Sequence, residues 1–384
     1  MKACDRVISV VEGRRPDRVP QFTPTMSCET ASRLMGHETF AGSPSLWYHE
    51  ALAWTRGKNA HEEFDARIVE DAISWRLKFG DDVFMYPWRN TARPVVHPDP
   101  STFVFGDPAG AHQVWRWDAE TMNFVETVNT ARKPEPEDWP TRAREMQRNM
   151  PTTLEQVRDQ TGRTEEDTQR RIGGDMLVVG SGAMLSMGVD EASLAAILLE
   201  PAAVADILDC QLEVGKCQLD AFARRNVKVI MGGGDMADKN GPIYSPACFH
   251  DLLLPRLRPL VRHATDLGLH YVWRTDGRIW PVSDMIFSDA GAPAYGETDR
   301  DAGMTVKAVR EKFPKVVIWS NTSADLLRRG NADAVYRDTM QILVESGGIG
   351  YFNGCSNTVL PGTPLENLAA MRKAADDCAR RSST

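Results

Sequence analysis

Short apolar runs that stop on a polar residue beside a glycine or a turn recur through the second half of this chain. Val227-Lys-Val-Ile-Met231 runs through glycines into Asp235, and Leu269-His-Tyr-Val-Trp273 runs into Arg274 and Asp276. Ala292-Pro-Ala-Tyr295 leads to Glu297, Val316-Val-Ile-Trp319 to Asn321, and Gly350-Tyr-Phe352 to Asn353 and Cys355. Runs this short and this apolar read as strands buried on both faces, as in parallel sheets. Between them the spacing turns helical and predicts helices near 246–267, 279–288, 305–313, 331–345 and 364–380. A further strand is expected at 176–179, followed by helices over Glu191–Leu199 and 201–225. With strand candidates at 19–22 and 82–86 the count reaches about eight. That number, with polar groups delivered at one end, predicts an α/β fold of the TIM type, a (β/α)8 barrel with its active face at the C-terminal ends of the strands.

The N-terminal part departs from strict alternation. Helical patterns over Ser45–Thr55 and 61–79 predict a helical cap around the first strands. From about 94 to 128, Pro and Gly turns give way to Gln113-Val-Trp-Arg-Trp117 and Asn123-Phe-Val-Glu-Thr127, which alternate as a β-hairpin does. This stretch reads as an insertion or lid. Lys133-Pro-Glu-Pro-Glu-Asp-Trp-Pro140 holds four charges and three prolines in eight residues, so it punctuates the chain. The expectation is one barrel domain over 1–384 with the 94–128 hairpin inside it.

A formal net charge of -8 argues against a phosphate backbone as partner, because nucleic-acid binders usually carry a basic face. The seven cysteines are scattered and odd in number, which fits a reducing compartment and a cytoplasmic location. No segment approaches the roughly 20 apolar residues that a membrane span needs. Gly232-Gly-Gly234 lacks the spacing of a dinucleotide fingerprint.

Asp235 and Lys239 follow the fourth strand, where they could fix a substrate or move protons. Arg274 could clamp an anionic ligand through two parallel bonds, or neutralise Asp276. Asn321, Asn353 and Asn357 could orient a polar ligand, although asparagine after a strand is often a turn residue. Trp88, with Trp115 and Trp117 of the hairpin, could wall an aromatic pocket.

Several of these segments resemble one family. Asp235-Met-Ala-Asp-Lys-Asn-Gly-Pro-Ile-Tyr-Ser-Pro246, Thr275-Asp-Gly-Arg-Ile-Trp280, Asp301-Ala-Gly-Met304, Gly348-Ile-Gly-Tyr351 and Pro361-Gly-Thr-Pro-Leu-Glu-Asn367 look like the uroporphyrinogen decarboxylase superfamily, which includes corrinoid-dependent methyltransferases and O-demethylases. True decarboxylases carry an Arg-rich N-terminal motif, whereas Phe22-Thr-Pro-Thr-Met-Ser-Cys28 has no arginine. The resemblance therefore implies the methyltransferase branch, acting on a small methylated donor such as a methyl ether or methoxy-arene. It implies a corrinoid acceptor, which must ride on a separate protein because this chain has no Asp-x-His-x-x-Gly signature. It also implies a possible homodimer and a zinc ion acting as Lewis acid. The family's His-x-Cys after the fifth strand is replaced by Arg274-Thr-Asp276, so the ligand set expected here is Asp276, Glu297 and Cys355. In the alternative reading Asp276 pairs with an arginine, Glu297 caps a helix and Cys355 is a small buried residue. Two other functions stand beside the first. One is a metal-free lyase in which Arg274 and Lys239 hold carboxylates and Asp235 steers protonation; the other is a non-catalytic ligand-binding relative.

Overall fold

A computed structural model describes residues 1–381. The chain opens with α1 (Ala3–Val11), a two-residue strand β1 (Thr25–Met26), and helices α2 (Cys28–Met35), α3 (Ser45–Thr55) and α4 (Lys58–Phe79). The Ser27 hydroxyl caps α2 by accepting the Thr30 N–H, and Gly36 and Gly80 end α2 and α4 in the left-handed conformation that a side chain would disfavour. Strand β2 (Val83–Phe84) follows. The next segment is antiparallel: β3 (Val96–Asp99), β4 (Thr102–Gly106), β5 (His112–Asp118) and β6 (Asn123–Asn129) pair in sequence order. The expected hairpin is thus the β5–β6 pair of a four-stranded sheet. Two more strands joined because Phe103 and Phe105 of β4 reach the apolar cluster that β5 and β6 form against α3.

After α5 (Trp139–Gln160) and α6 (Arg163–Ile172) the chain alternates. β7 (Leu177–Val178) and β8 (Gly180–Met184) lead through α7 (Glu191–Leu199) and α8 (Pro201–Arg224) to β9 (Val229–Gly233). A short α9 (Pro246–Cys248), a π turn and α10 (Leu254–Asp266) precede β10 (His270–Arg274). β11 (Ala294–Gly296), α11 (Val306–Lys312), β12 (Val317–Trp319), α12 (Ala324–Arg329), α13 (Ala332–Ser346), β13 (Tyr351–Phe352), β14 (Thr358–Val359) and α14 (Leu365–Arg381) complete it. The helix expected at 279–288 is instead a 3-10 turn at Trp280–Val282 and a π turn at Met285–Asp289. The wider turn lets the adjacent Ile286 and Phe287 both be buried.

The fold is mixed α/β with parallel pairing throughout its main sheets. Six strands lie in the order β13-β12-β11-β10-β9-β8, while β2 pairs with β7 and β1 with β14. The first expected strand, 19–22, is reduced to one parallel bridge between Gln21 and Asn353. The Phe22 N–H donates to the Asn353 carbonyl at 2.9 Å, and the Asp82 N–H to the Gln21 carbonyl at 2.9 Å. The Leu177 N–H donates in turn to the Asp82 carbonyl at 2.9 Å.

Side chains segregate with a period of two. Val229, Met231, Val272, Ala294, Val317, Trp319 and Phe352 share one buried cluster with Phe22, Val83 and Leu177, into which α1 inserts Val7 and Val10. Their neighbours Ile230, Tyr271, Trp273, Tyr295, Ile318 and Tyr351 pack with the helices in a larger cluster. The start of the chain is tied down by charge: Arg6 and Arg18 both donate to the buried Asp82 carboxylate. Fully buried Arg76 of α4 donates to Asp81 and to the carbonyls of Thr23, Pro24 and Met85. Among the described residues no helix is long and apolar enough to cross a membrane.

Candidate active site

Because β9 to β13 run parallel and side by side, the residues that follow them emerge at one end of the sheet. Arg274 is the last residue of β10 and lies in register with Gly233 of β9 and Gly296 of β11. A Cβ at Gly296 would sit 2.9 Å from Arg274 Cγ and 3.2 Å from Val272 Cγ1. The bare glycine leaves the space through which the arginine stem crosses β11. At its far end Arg274 Nη2 donates to Glu297 Oε1. Glu297 itself adopts φ 59°, a left-handed conformation that costs a non-glycine residue about 1–3 kcal/mol. Ser320 at the end of β12 has φ 66°, so two successive strand ends carry this strain.

Two residues beyond Arg274, the half-buried Asp276 carboxylate accepts a bond from Asn357 Nδ2 at 2.8 Å. Burial, and then the charges of Glu297, Asp235 and Asp299, push this carboxyl up to about 7; the Asn357 bond works in the opposite direction. Asp276 therefore exchanges its proton near neutrality, the property a general acid or base needs. Asp299 was not singled out in the sequence. Its signal was the Glu297-Thr-Asp299 spacing, which puts two carboxylates on one loop. Gly296 was likewise missed, since only the register of β10 on β11 reveals what it makes room for.

The remaining sequence candidates divide. Asp235 is exposed at the end of β9 and contributes its charge to Asp276, while Lys239 is exposed in the next turn. Asn321 is 0% exposed and wholly engaged with backbone: its amide donates to the Thr298 and Met304 carbonyls, and its oxygen accepts the Val306 N–H. Asn353 donates to Gln21 Oε1 at 2.8 Å, which ties the 20–22 segment to β13. Trp88 is 75% exposed, with its ring edge-on to Trp47 of α3, and the Trp47 indole N–H holds the Trp88 carbonyl. Trp115 also meets Trp47, and Trp117 stacks on Tyr48. These tryptophans form an aromatic wall between α3, the antiparallel sheet and the loop after β2.

Cys355 is 0% exposed and packs with Met26, Leu327 and Val359; burial pushes its thiol up to about 12. Glu297 is held by a guanidinium. Among the described residues no group of three or more His, Cys, Asp or Glu is arranged to hold a metal ion. Asp276, Glu297 and Cys355 do not form such a group among the described residues: the Cys355 thiol packs among apolar neighbours and Glu297 is held by Arg274.

No family model and no curated protein matches the chain by sequence. A solved structure described as a methyltransferase from Methanosarcina mazei aligns over 98% of this chain and 99% of that one, at 18% identity and a TM-score of 0.64. The two share a fold. A D-psicose 3-epimerase from Clostridium cellulolyticum H10 aligns over 57% of this chain and 83% of that one, at 11% identity and a TM-score of 0.35.

Proposed function

We propose that this chain is a methyltransferase that releases a methyl group from a small methylated donor to a nucleophile, with Asp276 as the general acid that protonates the departing heteroatom. The observation that carries the reading is the half-buried Asp276 carboxyl at the strand ends, held by Asn357 and pushed up to about 7 by burial and by the charges of Glu297, Asp235 and Asp299. In a methyl ether the carbon–oxygen bond breaks and its electron pair stays on oxygen. The methyl group passes to the nucleophile, the Asp276 proton neutralises the oxygen, and Asp276 regains a proton from water. The acceptor expected from the resemblance is a corrinoid on a separate protein, which would supply that nucleophile. The full-length fold likeness to the Methanosarcina mazei methyltransferase supports the reading.

The same proposal takes 1–384 as one (β/α)8 barrel with residues 94–128 as a lid. Its support is the run of backbone bonds that joins Phe22 to Asn353, Gln21 to Asp82 and Asp82 to Leu177 alongside the six-stranded sheet. A lyase is less well supported: Arg274, its expected carboxylate clamp, is already bound to Glu297, and the surrounding carboxylates repel an anionic substrate.

The test is release of the demethylated product from a panel of methyl ethers and methoxy-arenes, with free cob(I)alamin as acceptor. The rate is expected to fall as pH rises through about 7, where Asp276 loses its proton, and Asp276→Asn is expected to lower it by about 10²–10⁴-fold. An undiminished rate in Asp276→Asn, or carbon dioxide release from carboxylated compounds without demethylation, would overturn the proposal.

A further inference from the structure

The loop after β13 holds one oxygen of Asp276. Asn357 Nδ2 lies 2.8 Å from Asp276 Oδ2, while Asn357 Oδ1 accepts the Thr358 backbone N–H at 2.6 Å. A backbone N–H can only donate, so the asparagine amide is locked with its oxygen toward Thr358 and its NH2 toward Asp276. The lock is well founded, because Thr358 opens β14 and pairs in register with Thr25 of β1. A proton on Oδ2 would set an O–H against an N–H donor. The carbonyl oxygen of a carboxylic acid is a stronger acceptor than its hydroxyl oxygen, so the Asn357 bond favours Oδ2 as the carbonyl and Oδ1 as the oxygen that carries the proton.

We propose that Asn357 is a positioning residue for Asp276, confining the transferable proton to Oδ1 and fixing the direction in which it is delivered. This rests on the reading of Asp276 as general acid, but its test does not require turnover. The carboxyl of Asp276 feels the charges of Glu297 and Asp299 after β11 and of Asp235 after β9, while Asn357 donates to it directly. Among the described residues, Asn357 is the group that holds Oδ2.

The experiment is infrared difference spectroscopy of the whole chain carrying ¹³C-carboxyl aspartate, between pH 5 and pH 9. The Asp276 band is identified by its loss in Asp276→Asn. Hydrogen bonding to Oδ2 lowers the C=O stretch of the protonated acid, so Asn357→Leu is expected to move that band to higher frequency and Asn357→Gln to restore it in part. In the methyl-release assay Asn357→Leu is expected to lower kcat about tenfold with KM little changed. An Asp276 band at the same frequency in wild type and Asn357→Leu would overturn the positioning role, whatever the activity assay returns. Should Asn357→Leu fail to fold, Asn357→Ser is read in the same way, because its hydroxyl is too short to reach Asp276.

Discussion

Gly296 shows how much of a site can depend on a side chain that is missing. Its hydrogen occupies the place where a methyl group would meet Arg274 Cγ at 2.9 Å, so the arginine can cross to Glu297. Gly296→Ala is expected to push Arg274 off Glu297 and to destabilise the protein by about 1–3 kcal/mol, the usual range for overpacking. Chemical denaturation measures the loss; unchanged stability would mean that the arginine stem accommodates the methyl group. Glu297, freed of its partner, would then add its full charge to Asp276 and drive that carboxyl further up. At this scale the sequence was informative about residue type and uninformative about partner. Arg274 and Glu297 were both picked out from their positions after strands, yet the bond between them joins the ends of two strands 23 residues apart.

Among the elements, α4 holds the segment that leads into β1. Arg76 is 1% exposed and donates to the carbonyls of Thr23, Pro24 and Met85 as well as to Asp81. One guanidinium thereby joins the segment before β1 to the segment after β2. Removing one member of a buried ion pair leaves the other charge uncompensated, so Arg76→Leu is expected to cost about 3–5 kcal/mol. The double variant Arg76→Leu with Asp81→Leu should recover part of that loss. Equilibrium unfolding of the two variants decides the matter, and equal stability of Arg76→Leu and wild type would show that the carbonyls are satisfied without the arginine. The helix itself was legible as a helical pattern over 61–79, one turn shorter than the observed Lys58–Phe79. The 94–128 sheet was half legible. β5 and β6 alternate plainly, whereas β3 contains Pro98 and is only four residues long, so no local pattern announces it.

For the molecule as a whole, Asp276 links the site to stability. Its folded value of about 7 lies above the roughly 3.9 of an unfolded aspartate, so the folded state holds the proton more tightly. The stability this confers is present below about pH 4 and is lost as pH rises through about 7. Because water reaches part of the carboxyl, the loss is about 1–3 kcal/mol rather than the full value of the shift. Asp276→Asn is therefore expected to have a higher Tm than wild type at pH 8.5 and to lose that advantage at pH 5. Thermal melts of both proteins across this range test it, and parallel pH dependences would refute it.

The sequence by itself determined the alternation of buried strands and amphipathic helices and the end of each strand at which polar groups gather. Both follow from local rules: apolar runs bury, and polar or glycine residues end them. It also carried the residue types of the site, because a carboxylate or arginine after a strand is visible without coordinates. Tertiary structure alone decided the pairings. It turned Glu297 toward Arg274 and buried Cys355 among Met26, Leu327 and Val359. It also brought Asn357 to Asp276 across 81 residues of chain. Each of those contacts joins groups from different strand ends and loops, and which of them meet is settled only when the strands pair side by side.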